Sequence, residues 1–246
     1  MQSINYALTT RHDANYAYNF FSRRQLRYDV DDYRGLEHLQ RYLYTTRNRK
    51  KIMRRQDNIP LEDILKVYVD SSWADDSSRR STSGLVILVT GSVVRAQAKR
   101  LPAISSSSGH AELQAASLAA KEICHFRSLT DVLGYDLSDT PTILFCDSFS
   151  AIKMSYNLPG SSKRTRHIEL AWFYIREVIL ERKLDVRFCP TAMQMADGQT
   201  KSLATHVHKD QADMLLDFYS SKLAKLHYEF TKNFDNKFYG QGPKQY

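Results

Sequence analysis

The sequence of 246 residues has little of what marks several classes of protein. Glycine and proline number 9 and 6, too few for a collagen-like chain or a long flexible linker. The three cysteines, Cys124, Cys146 and Cys189, are too few and too spread for a disulfide framework or a zinc site. Apolar runs such as Leu85 to Val89 are far shorter than the roughly 20 residues of a membrane-spanning helix. No signal-peptide pattern opens the chain. These absences predict an intracellular protein in a reducing compartment, without a membrane partner.

Positive charge is concentrated at the two ends of the chain. The formal net charge is +8, and residues 1–60 hold 12 Lys and Arg against 6 Asp and Glu. Residues 220–246 hold 5 Lys and Arg against 2 Asp and Glu. The residues between the two ends hold 18 basic against 19 acidic side chains. Basic ends around a neutral centre favour a polyanionic partner such as nucleic acid. The alternative is that both ends are simply solvated.

One basic run lies inside the N-terminal part. Its six cations fall within nine residues: Arg47, Arg49, Lys50, Lys51, Arg54 and Arg55. Such a run would neutralise several phosphates and make binding strongly dependent on salt. A nuclear-localisation signal is the other interpretation, and the sequence leaves both open.

The spacing of apolar residues divides the chain into three parts. Residues 1–60 repeat apolar side chains at helical spacing and form a predicted helical segment. Residues 61–219 follow the order β-β-β-α-β-α-α-β-α, with strands predicted near 65–69, 84–89, 94–99, 143–146 and 186–189. This middle part predicts an α/β domain, in which a five-stranded mixed sheet of three antiparallel and then parallel strands has helices on both faces. Residues 220–246 form a basic, aromatic C-terminal tail.

Four acidic residues fall at the ends of predicted elements. Asp70 ends the first strand, Glu112 lies in the first turns of the long helix, Asp147 ends the fourth strand, and Asp197 precedes or opens the last helix. Carboxylate oxygens suit Mg²⁺, and two such ions form the clamp used for phosphodiester hydrolysis. Each acid alone is more typical of a turn or of a helix N-terminus. The spacing by itself therefore leaves a metal site and a structural role equally open.

Short motifs around these acids occur in a consistent order along the chain. They are Asp70–Asp75, Arg79–Gly84, Ser105–Glu112, Ala119–Glu122, Cys146–Ile152, Arg164–Glu169 and Ala196–Lys201. In order and spacing this set closely resembles the ribonuclease H domain of copia-type LTR retrotransposon Pol polyproteins, over roughly residues 65–219. The resemblance implies a ribonuclease-H-like fold.

The resemblance also implies a reaction and its site. The four metal-binding acids of the family match Asp70, Glu112, Asp147 and Asp197. They would bind two Mg²⁺ ions, for which Mn²⁺ substitutes, with Asp70 shared between them, Glu112 and Asp147 completing one site and Asp197 the other. The implied reaction is endonucleolytic cleavage of the RNA strand of an RNA–DNA hybrid. A cytoplasmic virus-like particle is the implied location, with nuclear and mitochondrial locations left open.

The beginning of the chain resembles the same polyproteins. Thr10–Asp13 and Tyr42–Thr46 look like the segment that joins the polymerase to the ribonuclease H domain. The catalytic Asp-Asp motif of the polymerase is absent, so the chain is not predicted to be a reverse transcriptase by itself. A fragment, a processed product and a host gene derived from an element all stay open, and a polymerase domain is an implied partner.

Several residues are candidate contacts to nucleic acid. Lys163, Arg164, Arg166 and His167 form a basic motif that would contact phosphates, although a basic turn at a helix start is an equal alternative. Ser107 belongs to a serine run that would hydrogen-bond a phosphate or a 2′-hydroxyl, and capping of the following helix by Ser108 is the competing interpretation.

Several positions depart from the family pattern. His110 stands where the family commonly has an acid, and Gly198 and Gln199 follow the fourth acid in place of apolar residues. We expect these two residues to loosen the start of the last helix and the placement of Asp197.

The sequence therefore supports a metal-dependent ribonuclease H of retrotransposon origin as the first hypothesis. The second is a domesticated, non-catalytic module that binds structured RNA or serves in a ribonucleoprotein. A DNA-directed nuclease of the same fold is the third, and the helix-borne Glu112 argues against it.

Overall fold

The structure is a computed structural model. It describes residues 1–54, 58–74, 78–157 and 166–218, together with Ser221, Ala224 and Leu226, and for residues 166–169 only the backbone. Arg55, Lys163, Arg164 and nearly all of the predicted tail at 220–246 therefore lie outside the described residues. Within the described residues, none of the helices has the length and apolar character needed to cross a membrane.

Five strands form one mixed sheet, as the alternation of apolar residues predicts. They are β1 (Leu65–Ser72), β2 (Thr82–Val89), β3 (Ser92–Arg100), β4 (Thr142–Cys146) and β5 (Leu184–Phe188), in the spatial order β3-β2-β1-β4-β5. Strand β1 pairs antiparallel with β2 and parallel with β4, β2 pairs antiparallel with β3, and β4 pairs parallel with β5. This strand order and direction confirm the predicted ribonuclease-H-like fold. Strand β5 begins two residues before its predicted start, because buried Leu184 pairs with Thr142.

Nine α-helices lie in the described part of the chain. They are α1 (Gln2–Ala7), α2 (Asn15–Arg23), α3 (Val30–Thr45), α4 (Leu61–Ile64), α5 (Ser108–Val132), α6 (Phe149–Tyr156), α7 (Arg166–Leu180), α8 (Asp197–Thr200) and α9 (Thr205–Leu216). The predicted last helix is thus two helices, and Asp197 opens the short α8. The apolar stripe at 212–216 marks only the second half of α9, because its first turns are polar.

Hydrophobic residues fill both faces of the sheet. One core contains Val67, Val69 and Leu144 with side chains of α5, α6 and α7. The other contains Tyr68 and Phe145, whose rings stack with centroids 4.8 Å apart, and side chains next to α8 and on α9. Because successive side chains of a strand point to opposite faces, each central strand serves both cores.

Helix α2 lies along the outer edge of the sheet. The side-chain amides of Asn15 and Asn19 donate hydrogen bonds to the carbonyls of Ala96 and Ala98, at 2.8 and 2.9 Å. Four residues of helix advance about 6 Å and two residues of strand about 6.6 Å, so the two repeats match. The N-terminal segment (residues 1–54 as described) thereby covers the exposed edge of β3. The domain boundary at residue 60 stays a prediction.

A glycine allows α8 to approach the sheet closely. Gly84 pairs with Asp70 across β1 and β2. A Cβ atom at residue 84 would lie 2.7 Å from the carbonyl oxygen of Ala196 and from a methyl of Thr200. No side chain fits there unless the backbone of α8 moves away from Asp70.

We predict that Gly84→Val lowers the free energy of unfolding by about 1–3 kcal/mol, because α8 must be displaced. Urea unfolding followed by circular dichroism measures the change. Gly134→Asn is the matched control, since Gly134 has φ +87° with nothing within 4 Å of an added Cβ and asparagine tolerates this conformation. Equal stability of Gly84→Val and the unaltered protein would contradict the close approach.

Candidate metal centre

The four predicted carboxyl groups meet at one end of the sheet. Asp70 lies near the end of β1, Asp147 directly follows β4, Glu112 is on α5, and Asp197 is the first residue of α8. Because β1 and β4 are parallel neighbours, their carboxyl ends share one edge, where ligand sites form in α/β sheets. Asp70, Glu112 and Asp197 are buried, and Asp147 is half-buried.

Two groups of possible ligands overlap at Asp147. In one group, carboxylate oxygens of Asp70, Asp147 and Asp197 all lie within 4.8 Å of one another. In the other, the same limit holds for oxygens of Glu112 and Asp147 and the sulfur of Cys146. The shared carboxylate is thus Asp147, whereas the family resemblance implies Asp70. A hydrogen bond from the Thr200 hydroxyl holds Asp70 toward α8.

Strand alternation explains which ligand faces which helix. Cys146 and Leu144 belong to the core under α5, next to Glu112. Asp147 is the residue after Cys146 and therefore points to the opposite face, toward α8. Asp70 is two residues after Tyr68 and therefore points to the same face as Tyr68, which is also the face of α8. The four acids therefore surround the strand ends from both sides of the sheet.

Neutral donors orient three of the carboxylates. The backbone N–H of Ser71 donates to Glu112 Oε1 at 3.2 Å, and the Thr191 hydroxyl donates to Asp147 Oδ2 at 3.1 Å. Thr200 donates to Asp70 Oδ2. These bonds restrict the carboxylate rotamers without supplying a positive charge.

Sequence comparison finds relatives over most of the chain. The retrovirus-related Pol polyprotein from transposon RE2 of Arabidopsis thaliana is 28% identical over 203 residues, which are 82% of this chain. The corresponding polyprotein from transposon TNT 1-94 of Nicotiana tabacum is 32% identical over 141 residues, or 57% of this chain. The chain is a relative of retrotransposon Pol polyproteins. This similarity confirms the resemblance predicted from the motifs, although the chain spans only 14% and 10% of the length of these two relatives. No family model matches the sequence.

Solved structures show likeness at a lower level. LC11-RNase H1, isolated from compost, is 16% identical, with a TM-score of 0.43 over 56% of this chain and 93% of that one. A foamy viral protease-reverse transcriptase in complex with RNA/DNA hybrid is 15% identical, with a TM-score of 0.41 over 64% of this chain and 22% of that one. The fold assignment rests on the strand order and not on these scores.

The donor set fits a hard divalent cation. Carboxylate oxygens are the ligands that Mg²⁺ and Mn²⁺ take, and both groups offer at least two of them. Burial raises the pKa of the Cys146 thiol well above its usual range. The sulfur is therefore a neutral thiol, which is a poor ligand for Mg²⁺.

Crowding and burial favour the protonated form of the metal-free carboxyl groups. Burial, with the nearby charges of Asp70 and Asp147, raises the pKa of Glu112 to about 9. Burial also raises the pKa values of Asp70, Asp147 and Asp197, and the acids add to this effect in one another. Removing these groups from water disfavours their charged form, and a bound cation would reverse that preference.

One lysine enters the cluster. The Lys201 ammonium lies 2.9 Å from Asp197 Oδ1, one turn along α8 from it. Its positive charge also lowers the pKa values of Asp70 and Asp147 relative to burial alone. Lys201 and Thr200 are among the residues of the site that the sequence motifs did not single out, although both stand in the motif that contains Asp197.

Gly198 and Gln199 do not loosen this region, contrary to the expectation from sequence. The Gly198 N–H donates to Gln211 Oε1 at 2.8 Å, and an added Cβ would lie 2.6 Å from that oxygen. Gln199 is fully buried and donates to the carbonyl of His12 at 3.2 Å. His110 is buried as well, and burial lowers its pKa, so this residue is neutral.

The predicted basic run lies away from the acids. The backbone N–H of Arg54 donates to the Ser92 hydroxyl, at the start of β3 and the opposite end of the sheet from Asp70. Most of the described cations of this run contact another side chain. Arg49 and Arg54 pair with Asp213 and Asp217, Lys51 contacts His12, Arg47 covers the Tyr44 ring, and Lys50 is exposed.

The remaining predicted contacts to nucleic acid divide between described and undescribed residues. The residue that caps α5 is Ser107 and not Ser108, because the Ser107 hydroxyl accepts a hydrogen bond from the His110 N–H at 3.2 Å. Arg166 and His167 open α7, and their side chains are outside the described residues, as are Lys163 and Arg164.

We predict that Glu112→Gln stabilises the metal-free protein at alkaline pH. Because the pKa of Glu112 rises from 4.5 to about 9 on folding, the native state keeps a proton that the unfolded chain releases. The free energy of unfolding should therefore fall as the pH rises through this window. At pH 8, about 3.5 pH units above the ordinary pKa of 4.5 and still below the raised value, about 1.4 kcal/mol per unit gives an expected gain on the order of 5 kcal/mol, with none near pH 4.

Urea unfolding in a chelator between pH 4 and 9 measures this effect. The control is Glu37→Gln, because Glu37 is exposed and pairs only with exposed Arg41 among the described contacts, a pair worth little. Overlapping pH profiles for Glu112→Gln and the unaltered protein would mean that Glu112 is ionised in the native state.

Proposed function

We propose that this chain is a metal-dependent endonuclease that hydrolyses the RNA strand of RNA–DNA hybrids. The observation that carries the proposal is the pair of ligand groups that share Asp147 at the carboxyl ends of β1 and β4. A purely structural role gives no reason to bury mutually repelling carboxyl groups together, because each costs free energy to ionise.

Each residue of the site has a definite role in this proposal. Asp70, Asp147 and Asp197 would hold one Mg²⁺ or Mn²⁺ ion, and Glu112 with Asp147 a second. Bound in such a pair, the ions supply an activated water and stabilise the leaving oxygen of the phosphodiester. Thr191 and Thr200 keep Asp147 and Asp70 in the orientation that this binding needs.

Two exposed aromatic side chains close to the acids support nucleic acid as the substrate. Trp73 follows Asp70 by three residues and is 52% exposed, while its indole N–H donates to the carbonyl of Ser105 at 3.0 Å. Phe149 follows Asp147 by two residues and is 59% exposed, with its ring stacked on Phe188 at 4.1 Å. Exposed rings of this kind are platforms for bases or sugars.

The relatives support the choice of substrate. They are Pol polyproteins of transposons. A hybrid substrate and a reverse transcriptase polymerase as partner follow from this likeness as parts of the proposal. RNA is distinguished from DNA by its 2′-hydroxyl.

We predict that the protein cuts an end-labelled RNA strand within a hybrid when Mg²⁺ or Mn²⁺ is present. Asp70→Asn and Glu112→Gln should each reduce cutting to background, because each removes a carboxylate from the ligand groups. Asp139→Asn is the matched control, since it removes the same charge from an exposed residue between α5 and β4. Gel electrophoresis of the products measures the rate. Hybrid binding without cutting in either metal would exclude the enzyme.

Lys201 favours the second candidate function, a non-catalytic module that binds RNA or serves in a ribonucleoprotein. Its ammonium already pairs with one of the candidate metal ligands, so part of the charge repulsion is relieved without a metal. In this function the acids would contribute nothing to catalysis, and added Mg²⁺ would not change the stability of the protein.

Lys201→Met separates the two functions. If the site binds metal, removing the lysine should destabilise the metal-free protein and enlarge the rise in melting temperature on adding Mg²⁺, because the ion then neutralises more uncompensated charge. Differential scanning fluorimetry over a Mg²⁺ series measures this rise, with exposed Lys209→Met as the control. No Mg²⁺ effect in any of the three proteins would favour the non-catalytic module.

A further inference from the structure

Helix α8 carries Asp197 but is too short to be stable alone. It has four residues, and no side chain caps its N-terminus. Isolated helices of fewer than about 12 residues are marginal even with favourable sequences. The position of Asp197 must therefore be fixed by tertiary contacts to the residues around α8.

Two sets of contacts come from the sheet and from α9. The side-chain amide of Gln194 donates to the carbonyl of Val69 in β1 at 3.0 Å. Gln211 of α9 donates to the carbonyl of Gln194 at 2.9 Å and accepts from the Gly198 N–H at 2.8 Å. These bonds hold the start of α8 to the ribonuclease-H-like sheet.

The third contact comes from the N-terminal segment. The Gln199 side chain is fully buried, and its amide donates to the carbonyl of His12 across 187 positions of sequence, at 3.2 Å. Gln199 lies two residues from Asp197 inside the same short helix. Without this acceptor, the buried side-chain N–H of Gln199 would have no partner in its place, which is costly.

The acceptor of this bond is itself rigidly held. Arg11 binds both carboxylate oxygens of Asp13, at 3.0 and 2.6 Å, and the Tyr42 hydroxyl donates to one of them at 2.5 Å. The ring of His208 contacts Tyr42 at 5.5 Å, and its Nε2 lies 3.2 Å from the Asp13 carbonyl. Residues 11–13 are therefore a fixed point between α3, α9 and α8.

We infer that Gln199 is a positioning residue, which ties α8 to the N-terminal segment and thereby sets the place of Asp197 in the metal centre. The N-terminal segment then acts as part of the site, although it supplies no ligand. This inference rests on the proposed function for its metal, but the structural link is testable without one.

The test compares two variants of similar chemistry. Gln199→Met keeps the side-chain volume and removes the side-chain amide that bonds to His12. Asn19→Ala is the control, because it removes a different hydrogen bond of the N-terminal segment, the one that Asn19 makes to β3. Hydrogen exchange in chelator measures the protection of the backbone N–H groups of residues 199 and 201, which donate hydrogen bonds to the carbonyls of Ala196 and Asp197. Isothermal titration with Mn²⁺ then reads out metal affinity.

We expect Gln199→Met to speed exchange of these two amides and to weaken Mn²⁺ binding by about 10- to 100-fold, as loss of a supporting contact does in metal sites. Hybrid cleavage should recover when the Mn²⁺ concentration is raised. Asn19→Ala should leave both readouts unchanged even if it lowers the melting temperature equally. If Gln199→Met does not fold, Gln199→Leu replaces it.

The outcomes distinguish the two proposals. Unchanged exchange in Gln199→Met overturns the inference whatever the metal does, and so does unchanged Mn²⁺ affinity when the unaltered protein binds the ion. Faster exchange together with no Mn²⁺ binding by the unaltered protein would preserve the structural link and refute the proposed function.

Discussion

The contact between α8 and the sheet at Gly84 is the constraint on which the site depends. Asp70 sits on β1 directly opposite this glycine, so any side chain at residue 84 would push away the helix that carries Asp197. The close approach also lets Thr200 reach the carboxylate of Asp70. The absence of a side chain at Gly84 therefore allows the Asp197 carboxyl group to lie close to the other three.

The electrostatics of the centre follow from that packing. Bringing the carboxyl groups together under partial burial raises their pKa values, which means that the metal-free fold stores unfavourable interactions. Lys201 offsets part of this cost through Asp197, and no described cation pairs with Glu112. The ionisation of Glu112, on the α5 side of the centre, therefore depends more on a bound cation than that of the other three acids.

The sequence was sufficient for the sheet, the long helices and the four carboxyl positions. Alternating and continuous apolar runs give the strands, and acids at strand ends must meet when those strands are parallel neighbours. The exposure of Trp73 could not be read from its type, because a large aromatic side chain is more often buried than exposed. The role of Gln199 was missed for a different reason. Its partner is a backbone carbonyl, and every residue has one, so no sequence pattern marks it.

The four acids therefore differ in what holds them. Asp70 lies on β1, Asp147 directly follows β4, and both strands are in the centre of the sheet. Glu112 belongs to a helix of 25 residues, so each of these three acids is held by a large element. Asp197 belongs to a helix of four residues that depends on β1, on α9 and on the N-terminal segment. The position of Asp197 therefore depends on contacts from three separate parts of the chain. A substitution far from the centre, at the N-terminal anchor formed by Arg11, Asp13 and Tyr42, should for this reason disturb Asp197 before it disturbs any of the other three.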